Sequence, residues 1–265
     1  MPVTPQAEIV TLTKALIRIA SVHSRPEEIH RCADFITTWL DTRNITYQRL
    51  DTNNTPSVLV LPDAARPTIP VLYMAHFDVV EADTDALFNP LEKDGRLYGR
   101  GAIDDKYAVA LALVLFDRHL SALRALNKTQ ADMGFGLLLT GDEEVGGANG
   151  AGAAMQRVTP DFFVALDGGG PRRVVIREKG VLQLGLSTRG KAAHGARPWL
   201  GENAFDRLVA DYQAIRQLFA DTDDPTGQDE HWHKTLVLSN CKAGDGSVNK
   251  VPDMARATLD IRYTE

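Results

Sequence analysis

Short apolar runs of strand length alternate, from the N-terminus onward, with segments whose apolar residues recur at helical spacing. That alternation restricts the fold more than any other feature of this chain. Ile9, Leu12, Leu16 and Ile19 fall on one helix face, and Ile29, Ala33, Ile36 and Leu40 on another. Runs 57–61, 71–75, 136–140 and 162–166 read as compact buried strands, with Pro62, Pro67 and Pro70 marking a loop between the first two. Residues 105–126 read as a buried helix, because apolar side chains cover every face of its first half, and 148–157 as a helix of small residues. Strands alternating with helices imply an α/β fold with a mixed, largely parallel sheet flanked by helices. Near residue 180 the texture changes. A strand (181–187), an amphipathic helix (202–220), an acidic loop (221–230) and two strands (235–240 and 256–263) predict a smaller α+β domain. The expected domains are therefore 1–179 and 180–265.

Composition removes several function classes. Twenty-nine Lys and Arg against 35 Asp and Glu leave a formal charge of −6, where a nucleic-acid binder carries a basic surplus. The longest wholly apolar run, 108–116, has nine residues, against the roughly 20 of a membrane-spanning helix. No basic-then-apolar leader opens the chain, and Cys32 and Cys241 make no disulfide framework. A cytoplasmic protein acting on a small molecule is the expectation, with no nucleic acid and no membrane as partner.

The chemistry gathers where apolar runs stop. Run 71–75 leads into His76-Phe77-Asp78, run 136–140 into Gly141-Asp142-Glu143-Glu144, and run 162–166 into Asp167; a fourth segment, 97–103, leads into Asp104-Asp105. Ligands of open α/β sheets bind outside the carboxyl ends of the strands, so these four ends suggest one shared site. One imidazole with three or more carboxylates suits zinc, manganese or a related divalent ion, and a cation relieves the repulsion among the acids. One carboxylate could bridge two ions roughly 3.5–4 Å apart. Residues two apart on a strand share a face, so Asp78 is placed to hold the second ring nitrogen of His76. Of Glu143 and Glu144, one could bind metal while the other takes a proton from water.

Plainer readings stand beside these. A lone His-x-Asp is common, and a Glu-Glu pair in a loop is usually solvated. Residues 99–104 imitate a dinucleotide-binding fingerprint, but aspartate replaces the third glycine and no strand–turn–helix unit surrounds it. His231 and His233 fall in a polar stretch and read as solvent-exposed. His23, His30 and His119 show no partner pattern and read as structural or surface residues.

Taken in order, His76-Phe77-Asp78-Val79-Val80, Gly99-Arg100-Gly101-Ala102-Ile103-Asp104-Asp105-Lys106 and Thr140-Gly141-Asp142-Glu143-Glu144-Val145-Gly146-Gly147 resemble three signatures of one family. It is the co-catalytic zinc peptidase family of acetylornithine deacetylase, succinyl-diaminopimelate desuccinylase, carboxypeptidase G and several dipeptidases. Asp167 and Ala193-His194-Gly195-Ala196-Arg197-Pro198 extend the match over nearly the whole chain, from the first helix to Arg262. The resemblance implies a zinc-peptidase-like catalytic domain with an inserted lid and dimerisation domain that is incomplete here. It also implies two zinc ions, with cobalt or manganese as substitutes. His76, Asp104 and Asp167 would hold one ion, and Asp104 would bridge to a second held by Glu144. Asp78 would orient His76, Glu143 would be the general base, and the lid histidine His194 would stabilise the tetrahedral intermediate. Asn249 and Arg262 resemble the lid residues that contact a substrate carboxylate, though such residues also serve in turns and on surfaces. Tyr107 departs from the family, which has glycine after the lysine of the second signature; its ring would narrow the pocket or pack outward. Family members also continue past the position of Glu265 to a final histidine of the second metal site.

The expected function is metal-dependent hydrolysis of the amide bond of an N-acyl amino acid or short peptide, by a homodimer joined through the lid. The amphipathic segment 202–220 fits either a dimer contact or packing on its own sheet. A truncated, non-catalytic metal-binding homologue is the alternative, and a two-metal phosphoesterase fits the carboxylates but not the lid signature.

Overall fold

The structure, a computed structural model, describes residues 4–168, 170, 172–219 and 232–264. Its chain forms two compact units, Met1–Gly170 and Pro171–Glu265.

The first unit opens with α1 (Pro5–Ile17) and α2 (Pro26–Asp41), both with proline in the first turn, where its missing N–H costs nothing. The hairpin β1 (Gln48–Thr52) and β2 (Thr55–Val60) leads to β3 (Thr68–His76). A small separate hairpin, β4 (Leu91–Lys93) and β5 (Arg96–Tyr98), precedes α3 (Lys106–Ala125). Then come β6 (Phe135–Thr140), the four-residue α4 (Ala151–Ala154) and β7 (Thr159–Ala165).

The sheet order is β1-β2-β6-β3-β7. β1–β2 and β2–β6 are antiparallel, β6–β3 and β3–β7 parallel. Alternation along the strands splits the core in two. Val58, Val60, Leu137 and Leu139 face the cluster built on α1, α2 and α3, while Leu59 and Leu138 face a smaller cluster that includes Ala154 and Val158.

The structure departs from the sequence pattern at several elements. Strand β1 escaped sequence reading because its QRLDT composition is polar around a single buried Leu50. Pro70 belongs to β3 rather than to the preceding loop, and it is exposed there. The run 162–166 is an edge strand, not a buried one; β3 is its one partner among the described residues, and Phe162 is 68% exposed. The helix expected over 148–157 shrinks to four residues. Segment 97–103 is a strand only as far as Tyr98; residues 99–105 turn and lead into α3.

The second unit holds a three-stranded antiparallel sheet, β10-β12-β8, from β8 (Gly180–Arg189), β10 (Thr235–Ala243) and β12 (Met254–Tyr263). A two-residue bridge joins β9 (Ala193–His194) to β11 (Lys250–Val251). Helix α5 (Ala204–Gln217) is capped by Asn203, whose side chain accepts from Phe205 N, and packs Ala204 and Leu208 against Ala255, Ala257, Leu186 and Leu238. Its amphipathic pattern is thus satisfied by its own sheet. The expected end of that helix at Ala220 and the acidic loop 221–230 lie outside the described residues.

Candidate metal centre

Three neighbouring strands, β6, β3 and β7, run parallel, so their carboxyl ends emerge on one edge. β3 ends at His76; β6 is followed by Asp142, Glu143 and Glu144, and β7 by Asp167. Asp104 arrives from the turn before α3, not from a strand. Its peptide bond with Asp105 is cis.

His76 is the hub. Its side chain is wholly buried, and Nε2 lies 3.0 Å from Asp104 Oδ1, 3.7 Å from Asp167 Oδ2 and 3.8 Å from Glu143 Oε2. Despite these neighbours, Nε2 forms no hydrogen bond among the described residues. Two sets of side chains bring one ligand atom each within 4.8 Å of the others: His76, Asp104 and Glu144, and His76, Glu143 and Asp167. The four expected ligands and the expected base, Glu143, come together, but the two sets pair Asp104 with Glu144 and Asp167 with Glu143 around the shared imidazole. A buried nitrogen left unbonded among four carboxylates is what a divalent ion with N and O ligands requires, so the residues fit the metal that the sequence suggested.

Behind the ring stands Asp78, wholly buried. His76 Nδ1 is 3.1 Å from the Asp78 carbonyl oxygen and 3.4 Å from its Oδ1. The same carboxylate accepts hydrogen bonds from Glu143 N (3.1 Å), Glu144 N (3.0 Å) and His23 Nε2 (3.0 Å). One side chain thus orients the imidazole and fixes the backbone of both glutamates.

The electrostatics follow. Burial alone would disfavour the imidazolium of His76, but the hydrogen bond and charge of Asp78, with Asp105 and Glu143, outweigh it and raise the pKa to about 10. Burial also acts against the Asp78 carboxylate; the bonds from His76 and His23 overcome it and hold its pKa below the usual range. Glu143 is pushed up by burial and by the charges of Asp167, Glu144 and Asp78, against the opposing pull of His76. Glu144 is raised by burial first and Asp104 second.

Two acids beside the site have supporting roles. Asp105 is buried, accepts from His76 N (3.3 Å), and is pushed by burial to a pKa of about 7. Asp142 gathers its own loop: its Oδ2 accepts from Asn149 N and Gly150 N, both at 2.9 Å, and its carbonyl from Gly147 N at 2.8 Å. Lys106 is structural. Its buried ammonium donates to Leu16 O (3.0 Å) and Ile19 O (2.6 Å), binding the end of α1 to the start of α3. Tyr107 is half-buried. Its ring packs on the main core, and its hydroxyl donates to Leu166 O (3.4 Å), one residue before Asp167.

Residues His194, Asn249 and Arg262 belong to the second unit. His194 is exposed; its Nδ1 accepts from Ala196 N (3.1 Å), so the neutral ring carries its proton on Nε2. Lys250 pairs with His194, and Asn249 O accepts from Gly195 N (2.7 Å), which brings Asn249 beside the histidine. Arg262 stands on β12 with both its Nε (2.7 Å) and a terminal nitrogen (3.2 Å) on Asp260. His233 is half-buried rather than solvent-exposed, and His231 lies outside the described residues. Sequence reading passed over His23. Its partner is 55 residues away, so no local spacing could have revealed it.

The profile of peptidase family M20/M25/M40 matches residues 72–260. A probable carboxypeptidase of Arthroderma gypseum is 24% identical over 98% of this chain and 59% of its own length. A succinyl-diaminopimelate desuccinylase of Sphingopyxis alaskensis is 31% identical over 73% of this chain and 51% of its own length. The chain thus spans between half and three fifths of these curated relatives. Among solved structures, an M20 family metallo-carboxypeptidase from Sulfolobus solfataricus superposes with a TM-score of 0.68 at 17% identity, covering 97% of this chain and 71% of that one.

Proposed function

Because the chain belongs to peptidase family M20/M25/M40, we propose that it hydrolyses the amide bond of an N-acyl amino acid or short peptide at a divalent metal centre, with zinc the first candidate. The observation that carries this reading is the buried, unbonded Nε2 of His76 facing the carboxylates of Asp104, Glu143, Glu144 and Asp167. His76, Asp104, Glu144 and Asp167 are the proposed ligands, and zinc bound there would lower the pKa of a water to about 7.

The chain's own residues supply the rest. Glu143 is half-exposed and its pKa is raised by burial, which suits a carboxylate that takes a proton from water and returns it to the leaving amine. Asp78 keeps His76 in the tautomer that presents Nε2 forward, because its carbonyl and carboxylate both face Nδ1. His194, with its proton on Nε2, is assigned to the developing oxyanion, and Asn249 and Arg262 to the substrate carboxylate. For Arg262 this means exchanging Asp260 for the substrate. Homodimerisation through the second unit and a cytoplasmic setting belong to the same proposal; both cysteines are free, as a reducing compartment would leave them.

The test compares wild type with Glu143→Gln on a panel of N-acetyl and N-succinyl amino acids and dipeptides, with bound metal counted by elemental analysis. Turnover by wild type is expected, and a loss of about 10²–10⁴-fold in the variant with its metal retained. Metal bound without hydrolysis of any panel member would overturn the catalytic reading in favour of a non-catalytic metal-binding homologue.

A further inference from the structure

The connection between α1 and α2 is fastened alongside residues 77–81. Ser21 Oγ donates to Phe77 O (2.5 Å), and Val79 N donates to Ser21 O (3.0 Å). Further on, Ser24 gives both its backbone N (3.1 Å) and its hydroxyl (3.0 Å) to the Glu81 carboxylate. Held between these anchors, His23 sets Nε2 3.0 Å from Asp78 Oδ2. About a third of its side chain remains exposed, while Asp78 has no exposed surface.

We propose that His23 is a positioning residue of the metal centre, fixing the Asp78 carboxylate and through it the tilt of His76 and the Glu143–Glu144 backbone. The inference rests on the metal-centre reading above. Oδ1 of Asp78 takes Glu143 N and faces His76 Nδ1; Oδ2 takes Glu144 N and His23. His23 is the one side-chain donor on Oδ2 among the described residues. Without it, a buried carboxylate is left short of a partner and rotates toward the donors that remain, which are those that aim the ligands. A ring anchored on both flanks delivers its N–H with little freedom left to lose.

Zinc titration of the metal-stripped chain, by calorimetry or against a chromophoric chelator, tests this with four proteins. His23→Ala is expected to bind zinc about 10–100-fold more weakly than wild type. His23→Gln, whose amide N–H can reach the same oxygen, is expected to recover most of that loss. Ser24→Ala removes the hydroxyl hydrogen bond to Glu81 from the same connection without touching Asp78, and is expected to bind zinc like wild type. In the metal-free protein, the Nδ1 proton resonance of His76 should shift in His23→Ala and not in Ser24→Ala. Wild-type affinity in His23→Ala, or an equal loss in Ser24→Ala, would overturn the proposal. A wild type that takes up no zinc overturns the metal reading beneath it, a separate and recognisable result.

Discussion

The Asp78 carboxylate stands 3.4 Å from Nδ1 of His76, and neither side chain has any exposed surface. The pair is the axis of the centre, since Asp78 is the strongest influence raising the basicity of the ring and also receives both glutamate backbone N–H groups.

Asp78→Asn keeps the shape and removes the charge. The His76 pKa in the metal-free protein should fall from about 10 toward its ordinary value, and zinc affinity should drop by about 10–100-fold. Histidine ring NMR across a pH series reads the first effect and zinc titration the second. An unchanged His76 titration would refute the assignment.

Metal-free stability should decline with rising pH. The folded pKa of His76, about 10, lies above its reference of 6.5, so its contribution is complete below pH 6.5 and is lost as pH rises through 10. Asp105, raised from 3.8 to about 7, acts in the same direction between those values, because the folded state favours its neutral form. Thermal unfolding in chelator at pH 6, 8 and 9.5 should therefore give a falling midpoint. Zinc affinity should climb over the same range, because the ion must displace the His76 proton. A midpoint that rises with pH would contradict both signs.

Gly101 and Lys106 should couple. Gly101 has φ +84°, and a Cβ there would sit 2.8 Å from Lys106 Cδ and 3.0 Å from Val79 Cγ1. Gly101→Ala should cost about 1–2 kcal/mol from its backbone alone. Lys106→Ala should cost about 2–3 kcal/mol, through a cavity and two lost hydrogen bonds at the end of α1. The double variant should lose less than the sum, because the clash with Lys106 disappears. Urea unfolding measures all three, and strict additivity would refute the contact.

Gly150→Ala should disable the glutamate loop. Its Cβ would fall 2.1 Å from Asp142 Oδ1 and 3.1 Å from Thr140 Cβ, displacing the carboxylate that binds Asn149 N and Gly150 N. A stability loss of about 1–3 kcal/mol is expected, together with weaker zinc binding. Gly152→Ala, where the nearest atom lies at 3.4 Å, serves as the control and should change zinc affinity little. Equal behaviour of the two variants would contradict the role given to Asp142.

Much of the first unit was legible in advance because its strands are apolar and its helices periodic. Helix α3 was placed almost to the residue by a run of apolar side chains too dense for any exposed helix. The strand ends carrying His76, Glu143, Glu144 and Asp167 stood out because acids and imidazoles are costly at the end of a buried run. Strand β1, the four-residue α4 and the exposed face of β7 were not legible, since each depends on what lies beside it rather than on its own composition. Tyr107, a departure from family pattern, became intelligible only when Leu166 O was found at its hydroxyl.

What the amino-acid order determined by itself is local: periodicity, breaks, and which chemistry sits at the end of which run. Periodicity needs only neighbours within a turn or a pleat to act. Tertiary structure alone decided that β6, β3 and β7 lie parallel and side by side, and so that residues 76, 104, 143, 144 and 167 meet. It alone placed His23 on Asp78 and Lys106 beneath α1. Such contacts follow from strand order and from the demand that every buried polar group find a partner, and that demand can be met from anywhere along the chain.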